Sequence, residues 1–178
     1  MQVNYVFVVP TIVNRFQNID LLEMKETKTT NQEAEVEIGD FGPIYRQFKG
    51  KAKEAFEFLI THENGDLLAV FHREEFGDVD LVWGNENGGL KHILLKHLGA
   101  EKSFVNMDDA ACQIKEIIES GRTAFENIDK AVFQIGNKIV TVRKNFREKG
   151  KKIADKNWVL TAYDETTADG GSAITTSN

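Results

Sequence analysis

One cysteine, two prolines and four histidines are all that 178 residues hold of those types, and each scarcity closes off a chemistry. A lone Cys112 cannot form an internal disulfide, and it cannot build the cysteine clusters of structural zinc sites. Its neighbours predict a packed helix face, and no histidine or cation stands at a spacing that would mark it as a nucleophile. Long apolar runs are missing too. Tyr5 to Pro10 is among the longest, far short of the roughly 20 residues a bilayer helix needs. No basic-then-apolar segment with a small-residue cleavage site opens the chain, so cytoplasmic folding is the expectation, compatible with later delivery into a target cell. There is no P-loop, no G-x-G-x-x-G after a strand and no H-E-x-x-H, so no cofactor is expected.

What is present reads as one ordinary domain with extensions. The hydrophobic share of 41% and charged share of 28% are those of a chain that buries a core. The net charge of −6 is unevenly spread: 8 Lys+Arg face 16 Asp+Glu before Gly89, and 14 face 12 from Gly89 onward. Lys138–Lys156 holds 8 basic residues against Glu148 and Asp155, enough local charge to attract a polyanion, although a solvated loop explains most such runs.

Residues 1–40 read as an extension: an apolar Met1–Ile12 interrupted by Pro10, then an aperiodic Lys25–Glu37. Order is expected to begin near Phe41-Gly42-Pro43. Gly50–His62 carries Ala52, Ala55, Phe56, Leu59 and Ile60 at helical spacing and should stop at Asn64-Gly65. Asp66–Arg73 and Asp78–Trp83 predict a hairpin turning at Phe76-Gly77. The glycine- and asparagine-rich Gly84–Gly89 then leads into a short helix, Leu90–Leu98. A second helix, capped by Asp108 or Asn106, carries Ala110, Ala111, Ile114, Ile117 and Ile118 and closes at Gly121. Gly136-Asn137 joins strands Ala131–Ile135 and Lys138–Arg143, with a basic loop from Lys144 to Lys156 behind them. In the last strand, Asn157–Tyr163, alternation puts Trp158, Leu160 and Ala162 on one face. The Gly/Ser/Thr-rich residues 164–178 predict a disordered tail. Helices first and hairpin strands last predict an α+β fold, helices packed on a mainly antiparallel sheet.

Among the histidines, His62 meets a helix C-terminus and His72 a strand end, where ordinary roles suffice. His92 and His97 sit five residues apart, about 140° around a helix, which argues against a shared metal. His92 differs by its place just after the strand-elbow, where an imidazole can give or take a proton near neutrality. Lys96 shares its face. Arg143, Lys144 and Thr161 are of the types that hold a phosphate and orient reacting groups.

The string GDVDLVWG…GLKHILLKH, preceded by FKGKAKEAFEFLI and followed by NWVLTAY, resembles a phage and mobile-element nuclease family. That family lies in the barnase/EndoU/colicin/RelE-like (BECR) group of RNase toxins. The resemblance covers about Phe41 to Tyr163, and the pairing of DLVWG with HI and W-x-L-T is its specific part. It implies an antiparallel sheet whose face holds RNA. It also implies metal-independent cleavage by a ribose 2′-hydroxyl, leaving a 2′,3′-cyclic phosphate and a 5′-hydroxyl. His92 would be the general acid/base and Thr161 would stand in the site, with Arg143 added as a catalytic cation from local charge. Lys144, Lys96, Lys156 and Tyr163 are the expected substrate-binding residues, and no metal ligand is expected. Asp80 and Trp83 match the motif as well, Trp83 as a core residue and Asp80 as an anchor of the elbow.

The expected function is therefore an endoribonuclease toxin domain acting on RNA, with tRNA one candidate, held in check by an immunity protein or antitoxin. The alternatives are a catalytically inert module that grips RNA through Lys138–Lys156, or an interaction domain whose acidic first half meets a basic partner.

Overall fold

The computed structural model describes residues 36–146 and 156–167. The apolar segment Met1–Ile12, nearly all of the aperiodic Lys25–Glu37, most of the basic loop and the tail beyond Thr167 lie outside the described residues. Three helices and eight strands follow in the order β1 (Ile38–Gly39), β2 (Gly42–Tyr45), α1 (Ala52–His62), β3 (Asp66–Arg73), β4 (Gly77–Val82), α2 (Leu90–His97), α3 (Met107–Ser120), β5 (Arg122–Glu126), β6 (Lys130–Ile135), β7 (Lys138–Phe146) and β8 (Lys156–Asp164). The strands form one sheet in the order β1-β2-β3-β4-β8-β7-β6-β5. It is antiparallel except where β2 meets β3 and where β4 meets β8. The fold is α+β, as the element order predicts.

The core lies between the helices and one face of the sheet. Ala55, Phe56 and Leu59 of α1, Leu90 and Ile93 of α2, and Ala110, Ala111, Ile114 and Ile118 of α3 are fully buried there. They meet Leu67, Phe71, Val79, Leu81, Phe133, Val140, Val142, Val159 and Ala162 of the strands. Helical 3.6-residue spacing on one side and two-residue spacing on the other make that seam possible. Asn106 caps α3, its side-chain oxygen accepting from the Asp109 amide at 2.9 Å. At the other end, the buried Arg73 guanidinium donates to the carbonyls of Ile118 and Gly121 at 2.9 and 2.7 Å, so β3 satisfies the last turn of α3. Cys112 departs from expectation: it is exposed, because the apolar stripe of α3 runs through 110, 111, 114, 117 and 118 and leaves position 112 outside. Helix α1 ends one residue earlier than its Asn-Gly signal suggests, with Glu63 itself in the left-handed conformation at φ 48°.

The β7–β8 register carries the most consequential irregularity. Thr141 faces Thr161 and Val142 faces Val159, so Leu160 is an extra residue on β8. The bulge resets the alternation. Val159 and Ala162 both turn to the helices, whereas Trp158, Thr161 and Tyr163 take the opposite side with their partners Arg143, Thr141 and Ile139. The simple alternation expected for Asn157–Tyr163 is thereby overturned. Residues 164–167, expected to open a disordered tail, are instead held in place. The Asp164 amide donates to Ser103 Oγ at 2.8 Å and the Glu165 amide to the Asn137 carbonyl at 2.9 Å, anchoring residues through Thr167. No helix among the described residues is long and apolar enough to cross a membrane.

Candidate active site

The elbow between β4 and α2 is built by a tight turn. The Asn85 amide donates to the Gly88 carbonyl at 2.9 Å, and Asn85 Oδ1 accepts from the Asn87 amide at 2.8 Å. Gly89 has φ 90° and starts α2; a Cβ there would stand 2.8 Å from the Trp83 carbonyl oxygen, so only glycine lets the chain double back. Its amide donates to the Leu160 carbonyl at 2.9 Å. One hydrogen bond thus ties the start of α2 to the bulge of β8, immediately before Thr161.

His92, half-buried on α2, is held by this elbow. Its Nδ1 lies 2.7 Å from the Glu86 carbonyl oxygen. A carbonyl only accepts, so Nδ1 carries the hydrogen and Nε2 is left as the exchanging nitrogen. His92 and His97 were expected to face apart; instead their rings meet edge-on with centroids 5.2 Å apart. His97 is the last residue of α2, buried to 6% exposure, and lies 5.8 Å from the Tyr163 ring. Burial, then the charge of Glu165, pushes the Tyr163 hydroxyl above its ordinary range and keeps its proton on. The link from His92 through His97 to Tyr163 is a second tether between α2 and β8.

Thr161 and Arg143 share the sheet face opposite the helices. The Thr161 hydroxyl is buried with no hydrogen-bond partner among the described residues, and so has its donor and acceptor capacity to spare. Arg143 is exposed and makes no ion pair among the described residues. Lys96 is exposed on the last turn of α2, likewise without an ion pair there. Two other expected substrate-binding lysines are placed elsewhere. Lys144 is turned away from Arg143: it pairs with Glu126 and lies over the Phe76 ring. Lys156 begins β8 rather than ending a loop, and it is buried in an ion pair with Asp66, with Asp80 3.8 Å away. Lys138 donates to the Ser103 carbonyl at 3.2 Å. Of the basic run, Arg147, Lys149, Lys151 and Lys152 lie outside the described residues; among the described ones Arg143 alone keeps its charge exposed and unpaired.

Asp80 anchors β3 rather than the elbow. Its Oδ1 accepts at 2.7 Å from the amide of Ala69, a residue in the left-handed region at φ 56° within the β3 bulge. Burial pushes the Asp80 carboxyl up to about 6; the Ala69 bond and Lys156 pull the other way, and Asp66 and Asp78 add to the rise. The folded state therefore binds this proton more tightly than the unfolded chain, whose aspartate titrates near 3.8. Asp80 alone makes the fold lose stability as pH rises from about 4 to 6, by on the order of 3 kcal/mol, with no further change above. Asp80→Asn keeps an oxygen for Ala69 and removes the ionisation. Denaturant titrations should show this variant gaining on the wild type across that window and holding the gain at pH 7.5; a difference constant with pH would refute the assignment.

Trp83 is half-buried against the core, as expected. His62 stacks on Phe58 and bonds its carbonyl, and His72 pairs with Asp78 at 2.6 Å at the exposed end of the β3–β4 hairpin. Sequence reasoning missed the cleft beside the elbow, about 330 Å³, lined by Phe41, Asn85, Asn87, Gly88, Trp158 and Leu160. Its signal was the W-x-L of W-x-L-T, read only as a strand. Among the described residues, no three His, Cys, Asp or Glu side chains gather where a metal ion could bind.

No curated protein and no solved structure matches the chain. The model of the family described as phage-Barnase-EndoU-ColicinE5/D-RelE like nuclease 1 matches residues 70–169, from within β3 through the anchored turn after β8. That match takes in the elbow, α2, the β7–β8 pair and with them His92, Arg143, Thr161 and Tyr163, and the chain belongs to this family of nucleases.

Proposed function

We propose that this nuclease domain is an endoribonuclease that needs no metal ion. In the proposed reaction the ribose 2′-hydroxyl attacks the adjacent phosphorus, the bond to the 5′-oxygen breaks, and a 2′,3′-cyclic phosphate and a 5′-hydroxyl result. The proton leaves the 2′-oxygen as the new bond forms, and the departing 5′-oxygen takes one up. His92 Nε2 is the group we assign to that exchange. The observation that carries the reading is the bond from His92 Nδ1 to the Glu86 carbonyl, which fixes the tautomer and holds the ring at the elbow. Arg143 supplies positive charge to the phosphate, and Thr161 is assigned to the same face of the site. Tyr163 and Lys96 hold the neighbouring nucleotides. An immunity protein or antitoxin that covers this face is the proposed partner, and tRNA the proposed target class.

The test uses an oligoribonucleotide with a mapped cleavage site, incubated in EDTA. Replacing the ribose 5′ to the scissile phosphate by 2′-deoxyribose should abolish cutting there and nowhere else. Unchanged cutting at the deoxy position would exclude the 2′-hydroxyl as nucleophile. An inert RNA-binding module would bind the oligomer in a salt-dependent way and yield no product.

A further inference from the structure

The cleft at the elbow has a composition that the cleavage reaction itself does not use. Two aromatic rings, Phe41 and Trp158, form one side, their centroids 5.0 Å apart and their planes tilted by 57°. Two carboxamides, Asn85 and Asn87, stand with them. Asn85 spends its oxygen on the Asn87 amide, which leaves its NH₂ to donate. The exposed Asn87 side chain makes no hydrogen bond among the described residues, so a donor and an acceptor stand side by side on it. Gly88 keeps the space open: a Cβ there would come within 2.6 Å of Leu160 Cδ1. At about 330 Å³ the cleft is at the small end of ligand sites, roughly 300 Å³ upward.

We infer that this cleft is a nucleobase subsite in which the Asn87 carboxamide reads the edge of one RNA base beside the cleaved phosphate. An unstacked base is held in single-stranded RNA recognition by an aromatic surface and a side chain that bonds its edge, and the cleft supplies both. The carboxamide complements a base edge that presents a donor next to an acceptor. Position supports the pairing with chemistry. Glu86, which holds His92, lies between Asn85 and Asn87, and Leu160 of the cleft wall directly precedes Thr161. A base seated here has its sugar-phosphate at the strand that carries Thr161. The inference rests on RNA being the substrate.

Two measurements separate this subsite from the cleavage reading. In the first, 2′-O-methyl trinucleotides of each base, which lack the attacking hydroxyl, are titrated against the full chain carrying Trp83→Phe, with Trp158 fluorescence as the signal. In the second, cleavage of an RNA randomised around one site is sequenced for base preference. Fluorescence should respond to one base more than to the others. Asn87→Ala should lower the selectivity in both measurements by about 10- to 100-fold, the discrimination of one bidentate base contact. Asn87→Asp, which exchanges the donor for a second acceptor, should move the preference to another base. Equal binding of all four trinucleotides, or a preference that survives Asn87→Ala, overturns the subsite even if RNA is cut. Base-selective binding lost in Asn87→Ala, with no RNA cut by the wild type, sustains the subsite and defeats the cleavage reading.

Discussion

His92→Gln should cut RNA about 100- to 10,000-fold more slowly than the wild type, the usual contribution of a positioned general acid or base. Glutamine fills the space of the ring out to the Nε2 position but has no ionisable group, so proton transfer is lost while α2 keeps its packing. His92 lies on the half-buried side of α2, whereas Leu90, Ile93 and His97 carry its packing, so the melting temperature should move little. Binding of a 2′-O-methyl oligomer should also stay within a few-fold of the wild type. Loss of rate with unchanged binding and fold is the expected pattern. Full activity in His92→Gln would remove this residue from the mechanism, and the buried His97, which touches its ring, would be the next to test.

Lys156→Met should cost the fold about 3–5 kcal/mol at neutral pH, the price of stripping the partner from a buried charge pair. Lys156 stands where β8 begins, between Asp66 of β3 and Asp80 of β4, with Asp66 fully buried. Strands β4 and β8 run parallel here and join through the single register pair Asp80 and Trp158. That seam connects the β1–β4 half of the sheet to the β5–β8 half, so its ion cluster bears directly on how the two halves hold together. Methionine fills the same length but leaves two carboxylates facing each other in a dry site. Both would be protonated at a lower cost in acid, so the loss should shrink as pH falls towards 4. The triple change Lys156→Met, Asp66→Asn and Asp80→Asn should recover much of the stability, since no charge then remains to be compensated. Equal stability of wild type and Lys156→Met at pH 7.5 would contradict the buried pairing.

These two residues also show what the sequence could and could not carry. The elements with a clear local signal were legible: α1 and α3 from apolar residues at 3.6-residue spacing, the β3–β4 and β6–β7 hairpins from short apolar runs with glycine at their turns. Strand β5 was not, because Arg122–Glu126 is an edge strand with all five residues exposed and no alternation to detect. The two- and four-residue strands β1 and β2 were too short to show a period. The Leu160 bulge defeated the face assignment of β8, since one extra residue inverts every position beyond it and leaves no mark on composition. In the site, His92 stood out because it follows an elbow, a local feature. Lys156 was misread because its partners lie 90 and 76 residues away, and a lysine at the end of a basic run looks solvated until the sheet closes around it. Arg143 and Lys144 looked equivalent in the sequence. The fold turns Lys144 away to Glu126 and leaves only Arg143 beside Thr161's side of the sheet.

The claim at the centre is that the ribose itself provides the nucleophile and that His92 moves the proton. Typing the ends of the fragments made from total RNA in EDTA tests it most directly. The account predicts 2′,3′-cyclic phosphate and 5′-hydroxyl ends, produced by the wild type and absent with His92→Gln. Fragments with 5′-phosphate and 3′-hydroxyl ends, formed only when a divalent metal is added, would contradict it.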